Sequence, residues 1–390
     1  METSSKRRAL IFSTAYYPFV GGAEVAIKQI TSRLGDDFEF DLITARLSKK
    51  LSRVEKVGNV NVYRIGAGNP MMDKILLPFT GAYKAWSLNK TNNYFCMWAM
   101  MVTFASGAGY VFNLFRSLTF KKQIPIILTL QEGDSEGHLK YKWGGLIALS
   151  WKIALRRAKY LTAISNFLLD RANKNGWKGD AYLIPNGVDL ELFSNHFSDA
   201  EKNSMAERLG KNSGDIYLVT TGRLAYKNGT DDIVTALSRL PENIYLVVIG
   251  KGDGGSKLQK QADSLNVGNR VKFLGFVPYE EIPKYFSACD IFIRPSRSEG
   301  FGNSFIEAMA ARLPVIATPV GGITDFIDDN ETGIFCAPNN PQSIVNAVNL
   351  ILKNENIKNS IVARAFDRVT DRYGWNHVAK EMGVVFDKVV

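Results

Sequence analysis

Glu299 and Glu307 stand eight positions apart in the run S-E-G-F-G-N-S-F-I-E-A-M-A, residues 298–310. A small-residue loop, with Gly300, Gly302, Asn303 and Ser304, leads into a helix expected to start near Ser304. Phe305, Ile306, Ala308, Met309 and Ala310 continue it, with no Gly or Pro until Pro314. Unpaired amides at a helix start favour an anion, and Gly302 lets the backbone approach a phosphate closely. One carboxylate lies just before that anion seat and the other about one turn beyond it. A ligand with a diphosphate in the middle and hydroxyl-rich groups at both ends would use both, which describes a nucleotide sugar. Alone, a capping Glu299 and a solvated Glu307 would explain the pair as well, so its context decides.

That context is a series of loops, each following an apolar run that reads as a strand. T-G-R-L-A-Y-K-N-G, residues 221–229, puts Arg223 and Lys227 between Gly222 and Gly229. Two cations there can neutralise charge growing on a leaving diphosphate, where removing one preorganised donor typically costs about 3–4 kcal/mol. V-V-I-G-K-G-D-G-G, residues 247–255, contains G-x-G-x-x-G at Gly250, Gly252 and Gly255. A dinucleotide site and a nicotinamide-dependent oxidoreductase are disfavoured, because no acidic residue ends a strand about 20 residues later. A glycine turn at Gly250, close to a nucleotide base, fits better. The backbone from Gly275 to Val277 is placed to read a base edge. Gly21 and Gly22 precede an apolar helical pattern from Ala23 and offer a second anion seat. Gly321 and Gly322 repeat the Gly-Gly sign, read here as packing.

At 390 residues the chain is longer than one core usually supports, so two domains are expected. Strand-like runs at Ala9–Ser13, Phe38–Thr44, Val60–Ile65, Phe95–Met100, Ile124–Leu130, Tyr160–Ile164 and Tyr182–Ile184 alternate with helical patterns. A second series follows at Ile216–Thr221, Ile244–Ile249, Val271–Leu274, Ile291–Arg294, Val315–Ala317 and Gly333–Phe335. Such alternation predicts parallel sheets covered by helices on both faces. The halves meet at I-P-N-G-V-D, residues 184–189, giving domains 1–185 and 186–373. Two such sheets facing each other would hold their ligand in the cleft between them.

The charge is uneven. Residues 1–185 carry 26 Lys/Arg against 13 Asp/Glu, whereas 186–390 carry 22 against 25. A basic half suits an anionic membrane, where each cation near the surface is worth about 1 kcal/mol. No zinc finger, RNA-binding aromatic motif or basic helix points to nucleic acid. Cys96, Cys289 and Cys336 are too dispersed for a structural zinc and fit a reduced cytoplasm. The uncharged stretch between Lys90 and Arg116 passes the length of about 18–20 residues needed to span a membrane. Thr103, Ser106, Gly107, Gly109 and Asn113 interrupt it, and a strand followed by a buried helix is the favoured reading. The start K-R-R-A-L-I-F-S-T-A reads as a first strand and not as a signal peptide.

R-P-S-R-S-E-G-F-G-N-S-F-I-E-A-M-A, followed by P-V-I-A-T-P-V-G-G and preceded by the Gly-Arg-Leu loop and I-P-N-G-V-D, resembles the family-4 retaining glycosyltransferases of the GT-B fold. The likeness runs from Tyr16 through Trp375 and is densest over 216–336. It implies two doubly wound, Rossmann-like domains facing across a cleft, with an acceptor held by the first and a UDP- or GDP-sugar by the second. The last helix, about 374–390, would cross back to the first domain. By position, Arg223 and Lys227 would grip the diphosphate and Glu307 the ribose hydroxyls. Glu299 would contact the transferred sugar, and the amides of Gly300, Phe301 and Gly302, with Asn303, would face the β-phosphate. Gly22 would approach the donor from the opposite wall, with Gly250 and Val277 beside the base. Arg223, Lys227 and Glu299 are thus the expected catalytic residues.

The chain departs from that pattern at three places. Asn228 stands where the family commonly has Lys, with Lys227 one position earlier. After the I-I-L-T-L strand many members carry His, and this chain has Gln131, Glu132, Gly133 and Asp134. Gln131 and Asp134 are then the acceptor-side candidates, in a loop that runs to Trp143. His138, His196 and His377 match no catalytic position. Arg312 replaces a common Gly and reads as a surface substitution. No Asp-x-Asp occurs, so neither a metal nor a separate cofactor is expected. The expected reaction transfers a hexose, with retained anomeric configuration, to a hydroxyl of a glycan, a lipid-linked sugar or a polysaccharide precursor. The expected place is the cytoplasm, with a peripheral seat at the inner face of the membrane. A GT-B-like sugar-nucleotide epimerase and a catalytically silent nucleotide-sugar binding protein are the alternatives.

Overall fold

The computed structural model describes residues 6–133 and 146–389. It divides into two compact units, Met1–Asn186 with Trp375–Val390, and Gly187–Gly374.

In the first unit the strands are β1 (Arg7–Phe12), β2 (Phe38–Ala45), β3 (Val54–Val57), β4 (Val60–Ile65), β5 (Tyr94–Met100), β6 (Ile126–Leu130), β7 (Tyr160–Ala163) and β8 (Ala181–Leu183). They form one sheet in the order β3-β4-β2-β1-β5-β6-β7-β8. All its pairings are parallel except β3 with β4. The central strands are mainly apolar because helices cover both of their faces, with Asp41, Thr44 and Thr129 among the buried polar exceptions. The antiparallel β3 was not expected: V-E-K-V alternates like a surface segment, and its residues remain partly or fully exposed. The helix Trp375–Lys388 closes one face, where Phe386 lies 5.3 Å from the Phe38 ring and 5.6 Å from Trp98.

The uncharged stretch after Lys90 resolves into β5 and the helix Ala105–Leu118, as the interrupting small residues imply. Among the described residues no helix is long and apolar enough to cross a membrane.

The second unit is a parallel sheet ordered β11-β10-β9-β12-β13-β14. Its strands are β9 (Ile216–Thr221), β10 (Ile244–Ile249), β11 (Val271–Gly275), β12 (Ile291–Arg294), β13 (Val315–Ala317) and β14 (Ile334–Phe335). In an open parallel sheet, ligands gather at the carboxyl ends of the strands. The loops after β9, β10, β11 and β12 therefore emerge side by side at one edge.

Candidate active site

The loop after β12 carries the two glutamates. Glu299 is buried, and its Oε1 accepts the Gly300 amide at 3.2 Å. Its Oε2 accepts Nη2 of Arg294 at 2.5 Å. The Glu299 carbonyl accepts the Gly322 amide at 3.3 Å. A Cβ at Gly321 would fall 1.8 Å from that carbonyl, so the second Gly-Gly is a packing device, as expected. The helix Asn303–Ala310 begins with Gly302 as its N-cap, at φ +98°. A side chain at Gly302 would drive into the Phe305 ring at 2.6 Å. The position where a capping-box acid would stand is Phe305, so this helix start carries no internal anion. Phe301 is buried against Phe326 and Tyr373, leaving only its backbone for a ligand.

Glu307 sits in the second turn of the same helix and is buried. Burial pushes its carboxyl up to about 7, a shift that the Arg294 guanidinium opposes. A carboxyl poised there can accept two hydroxyl donors from a ribose as it ionises.

The loop after β9 lies against this one. Gly222, at φ +135°, turns the chain so that the Arg223 side chain is exposed. Asn228 is buried; its Nδ2 donates to the Arg223 carbonyl and its Oδ1 accepts Nη2 of Arg294 at 3.0 Å. The Arg297 amide donates to the Lys227 carbonyl at 2.7 Å. The Arg297 guanidinium is itself fixed on Asp231 at 2.8 Å and on Asp232 at 2.7 Å. Two loops distant in sequence are thus stitched together, with Arg223 and Lys227 on one and Glu299 to Glu307 on the other. Among the described residues neither the Arg223 guanidinium nor the Lys227 ammonium has an ion-pair partner.

Gly250 follows β10 at φ +137°, and a Cβ there would meet the Gly222 carbonyl at 1.9 Å. Its amide donates to the Gly275 carbonyl at 2.7 Å, and Gly254 donates to Leu224 at 3.0 Å. The glycines of this segment therefore seat the Arg223 loop on its neighbours. The Val277 side chain is buried, while Phe276 beside it is exposed. A depression of about 620 Å³ lies between Arg223, Tyr226, Gly252, Lys257 and Gln261.

In the first unit, Gly22 opens the helix Gly22–Arg33, but its start is not an empty anion seat. The Glu24 carboxylate lies over this start, with Oε2 2.7 Å from where a Cβ at Gly21 would sit, so the chain brings its own anion there. The reading of Gly21 and Gly22 as a second anion seat is corrected on this point. Gln131 donates from Nε2 to Asn186 Oδ1 at 3.1 Å, tying the loop after β6 to I-P-N-G-V-D. Glu132 is buried and accepts the Val102 and Gln131 amides, fastening neighbouring loops together. Asp134, like His138 and Trp143, lies outside the described residues.

Sequence reasoning missed Arg294 and Arg297. Arg294 was read only as the last residue of a strand, and its only signal was a charge ending an otherwise apolar run directly before Pro295.

Residues 20–192 match the model of glycosyltransferase family 4, and residues 201–368 match that of glycosyl transferases group 1. An uncharacterized glycosyltransferase of Methanocaldococcus jannaschii is 27% identical over 99% of either chain. Another from the same archaeon is 33% identical over 201 residues, so that the chain spans about half the length of that relative. A GDP-mannose-dependent alpha-(1-6)-phosphatidylinositol monomannoside mannosyltransferase of Mycobacterium tuberculosis is 28% identical over 57% of this chain and 60% of its own. Among solved structures, Anabaena HepE in complex with UDP and glucose superposes with a TM-score of 0.79 at 20% identity. It covers 98% of this chain and 100% of its own. These matches and the paired parallel sheets define the class as a glycosyltransferase of the GT-B fold. Each half of the chain thus carries one glycosyltransferase domain, family 4 in the first and group 1 in the second, and the chain is family-4-like.

Proposed function

We propose that the protein transfers a hexose from a UDP- or GDP-sugar to a hydroxyl acceptor, with retained anomeric configuration and without a metal ion or separate cofactor. The supporting observation is the stitching of the Arg223–Lys227 loop to an uncapped helix start flanked by two buried glutamates. In this reading Arg223 and Lys227 meet the diphosphate, and the amides of Phe301 and Gly302 with Asn303 face its β-phosphate, the Gly300 amide being taken by Glu299 Oε1. Glu299 meets the sugar and Glu307 the ribose. Gly250 and Val277 lie towards the base, with Gly22 assigned to the donor and Gln131 and Asp134 to the acceptor. The acceptor oxygen attacks the anomeric carbon on the face that the diphosphate leaves. The bond from that carbon to the phosphate oxygen breaks, and the departing β-phosphate oxygen takes the hydroxyl proton. Arg223, Lys227 and the helix start stabilise the charge that develops there. HepE in its complex with UDP and glucose, and the GDP-mannose-dependent relative, support the two donor classes.

The acceptor is taken to be a lipid-linked sugar or polysaccharide precursor at the inner face of the cell membrane. Supporting this, Met72, Leu76, Phe79, Tyr83 and Trp86 form an exposed stripe along the helix Pro70–Leu88. The Lys90 ammonium lies 3.7 Å from the Trp86 ring centroid, placing a cation at its edge.

The decisive experiment screens UDP- and GDP-sugars by thermal shift, since a true donor stabilises in proportion to its affinity. The product's anomeric configuration is then read by NMR. An inverted product, or activity abolished by EDTA and restored by a divalent ion, overturns the mechanism. Phe79→Glu with Tyr83→Glu should weaken binding to phosphatidylglycerol vesicles at low salt by about tenfold or more. Failure of the wild-type protein to sediment with such vesicles removes the membrane assignment.

A further inference from the structure

We propose that Arg294 is a positioning residue of the donor site, which holds Glu299 and supplies positive charge to the diphosphate seat beside the neutral Asn228. The inference rests on the donor reading given above. The Arg294 side chain is only 11% exposed and joins four pieces of the site. It ends β12, donates from Nη1 to Ser304 Oγ at 2.8 Å in the first turn of the helix, and donates from Nη2 to Asn228 Oδ1 at 3.0 Å. The same Nη2 meets Glu299 at 2.5 Å, while Nε is buried without a partner.

Structure alone gives a weak reason for such a group. A buried ion pair contributes little net stability, because desolvation offsets the attraction, and a packed apolar residue serves a core as well. Charge balance gives a stronger reason. Glu299 and Glu307 are both buried at this edge, and an arriving diphosphate adds further negative charge. Arg297 of the same loops is held by Asp231 and Asp232, so without Arg294 the cations of these loops left to oppose them are Arg223 and Lys227. Asn228, the buried side chain of the Arg223 loop nearest the guanidinium, is neutral, and its Oδ1 is turned towards Arg294. The amide therefore marks the place where the missing charge is delivered from the neighbouring strand.

The test compares UDP and GDP with their nucleosides by calorimetry, using the full chain as wild type, Arg294→Lys, Arg294→Gln and the double variant Asn228→Lys/Arg294→Gln. For the base that wild type prefers, Arg294→Gln should weaken diphosphate binding by between about tenfold and a hundredfold, the worth of a charge-assisted contact. Measured at about pH 8.5, above the value of about 7 to which burial holds Glu307, nucleoside binding should stay within about threefold, since a merely structural loss would reduce both. Arg294→Lys should keep most of the diphosphate affinity, and lysine at 228 should recover most of what Arg294→Gln loses. Equal weakening of nucleoside and diphosphate, unchanged diphosphate binding in Arg294→Gln, or no recovery in the double variant overturns the proposal. If Arg294→Gln fails to fold, Arg294→Lys and the double variant decide by the same criteria. Wild-type protein that binds no nucleoside diphosphate overturns the donor reading itself, a result distinct from any of these.

Discussion

Two helix starts in this chain carry the same sequence sign and have opposite electrostatic states. At Gly22–Arg33 the N-cap is Gly21 and the third helical residue is Glu24, whose carboxylate lies beside Gly21. At Asn303–Ala310 the N-cap is Gly302 and the third residue is Phe305. The nearest carboxylate, Glu299, is held by Arg294. One start has an acid of its own helix beside it, and the other has none in its first turn. Small residues before a helix only permit an anion to approach. What stands three positions into the helix decides whether the seat is already taken.

The strongest test of this difference is charge removal on each side. Arg223→Ala, beside the open start, should lower kcat by about 10²–10³, the usual cost of losing a donor to a developing phosphate charge. Glu24→Gln should leave kcat within about threefold and cost about 0.5–1 kcal/mol of stability, as expected for a lost capping contact. Steady-state kinetics with the preferred donor and urea melts measure both. A hundredfold loss of kcat in Glu24→Gln would mean that the first start takes part in the chemistry.

Next in size is the glycine pair. Gly302→Ala places a methyl group into the Phe305 ring and within 3.2 Å of Glu299 Cγ, at a φ of +98°. It should cost about 2 kcal/mol or more and weaken UDP or GDP binding with it. Gly21→Ala meets only the mobile tip of Glu24, at 2.7 Å, from an extended backbone at φ −140°. Displacing that carboxylate should cost no more than Glu24→Gln does, about 0.5–1 kcal/mol.

Much of this frame was legible in the sequence. The runs Ile216–Thr221, Ile244–Ile249 and Ile291–Arg294 form strands with the expected limits, because continuous apolar stretches between glycines and prolines leave little choice. β3 was illegible because an exposed edge pair is specified by its partner and not by burial. Spacing placed Glu299 and Glu307 on one loop and helix, yet it could not show that Arg294 joins them to Asn228. Hydrogen bonds between loops some 65 residues apart leave no local pattern. The Gly21–Gly22 seat was misread for a related reason, since the direction in which Glu24 folds is set by unpaired amides and not by any periodicity.

The carboxyls themselves sharpen the contrast through pH. Burial raises both, but Glu24 has two amides to stabilise its charge, whereas the opposing influence on Glu307 is Arg294 alone. Glu307 is held up to about 7, above its ordinary value, so the native state binds the extra proton. Its contribution to stability is full below the ordinary carboxyl range and is lost as pH rises towards and through 7. Ribose binding runs the other way, because the ionised carboxyl is the better acceptor. Uridine or guanosine affinity should therefore fall by about tenfold between pH 7.5 and 6. Glu307→Gln should flatten that profile, and an unchanged slope in this variant would assign the titration elsewhere.

The smallest effect concerns the far end of the open helix. Arg312 is exposed, as a surface substitution implies, and its φ of +59° is in the left-handed region, which explains why glycine suits this position. Arg312 donates to the Met309 carbonyl at 3.1 Å and Leu313 to Ala308 at 3.0 Å, the two bonds of a Schellman ending. A left-handed arginine costs about 1 kcal/mol, and its guanidinium, 3.5 Å from the Phe366 ring centroid, returns about half of that. Arg312→Gly should then raise Tm by about 1–2 °C. Phe366→Ala separates the two contributions, since it should destabilise the wild-type chain more than the Arg312→Gly chain. If Arg312→Gly instead lowers Tm, the stacking outweighs the backbone cost, and the helix Asn303–Ala310 is anchored at its C-terminal end by a cation on a ring.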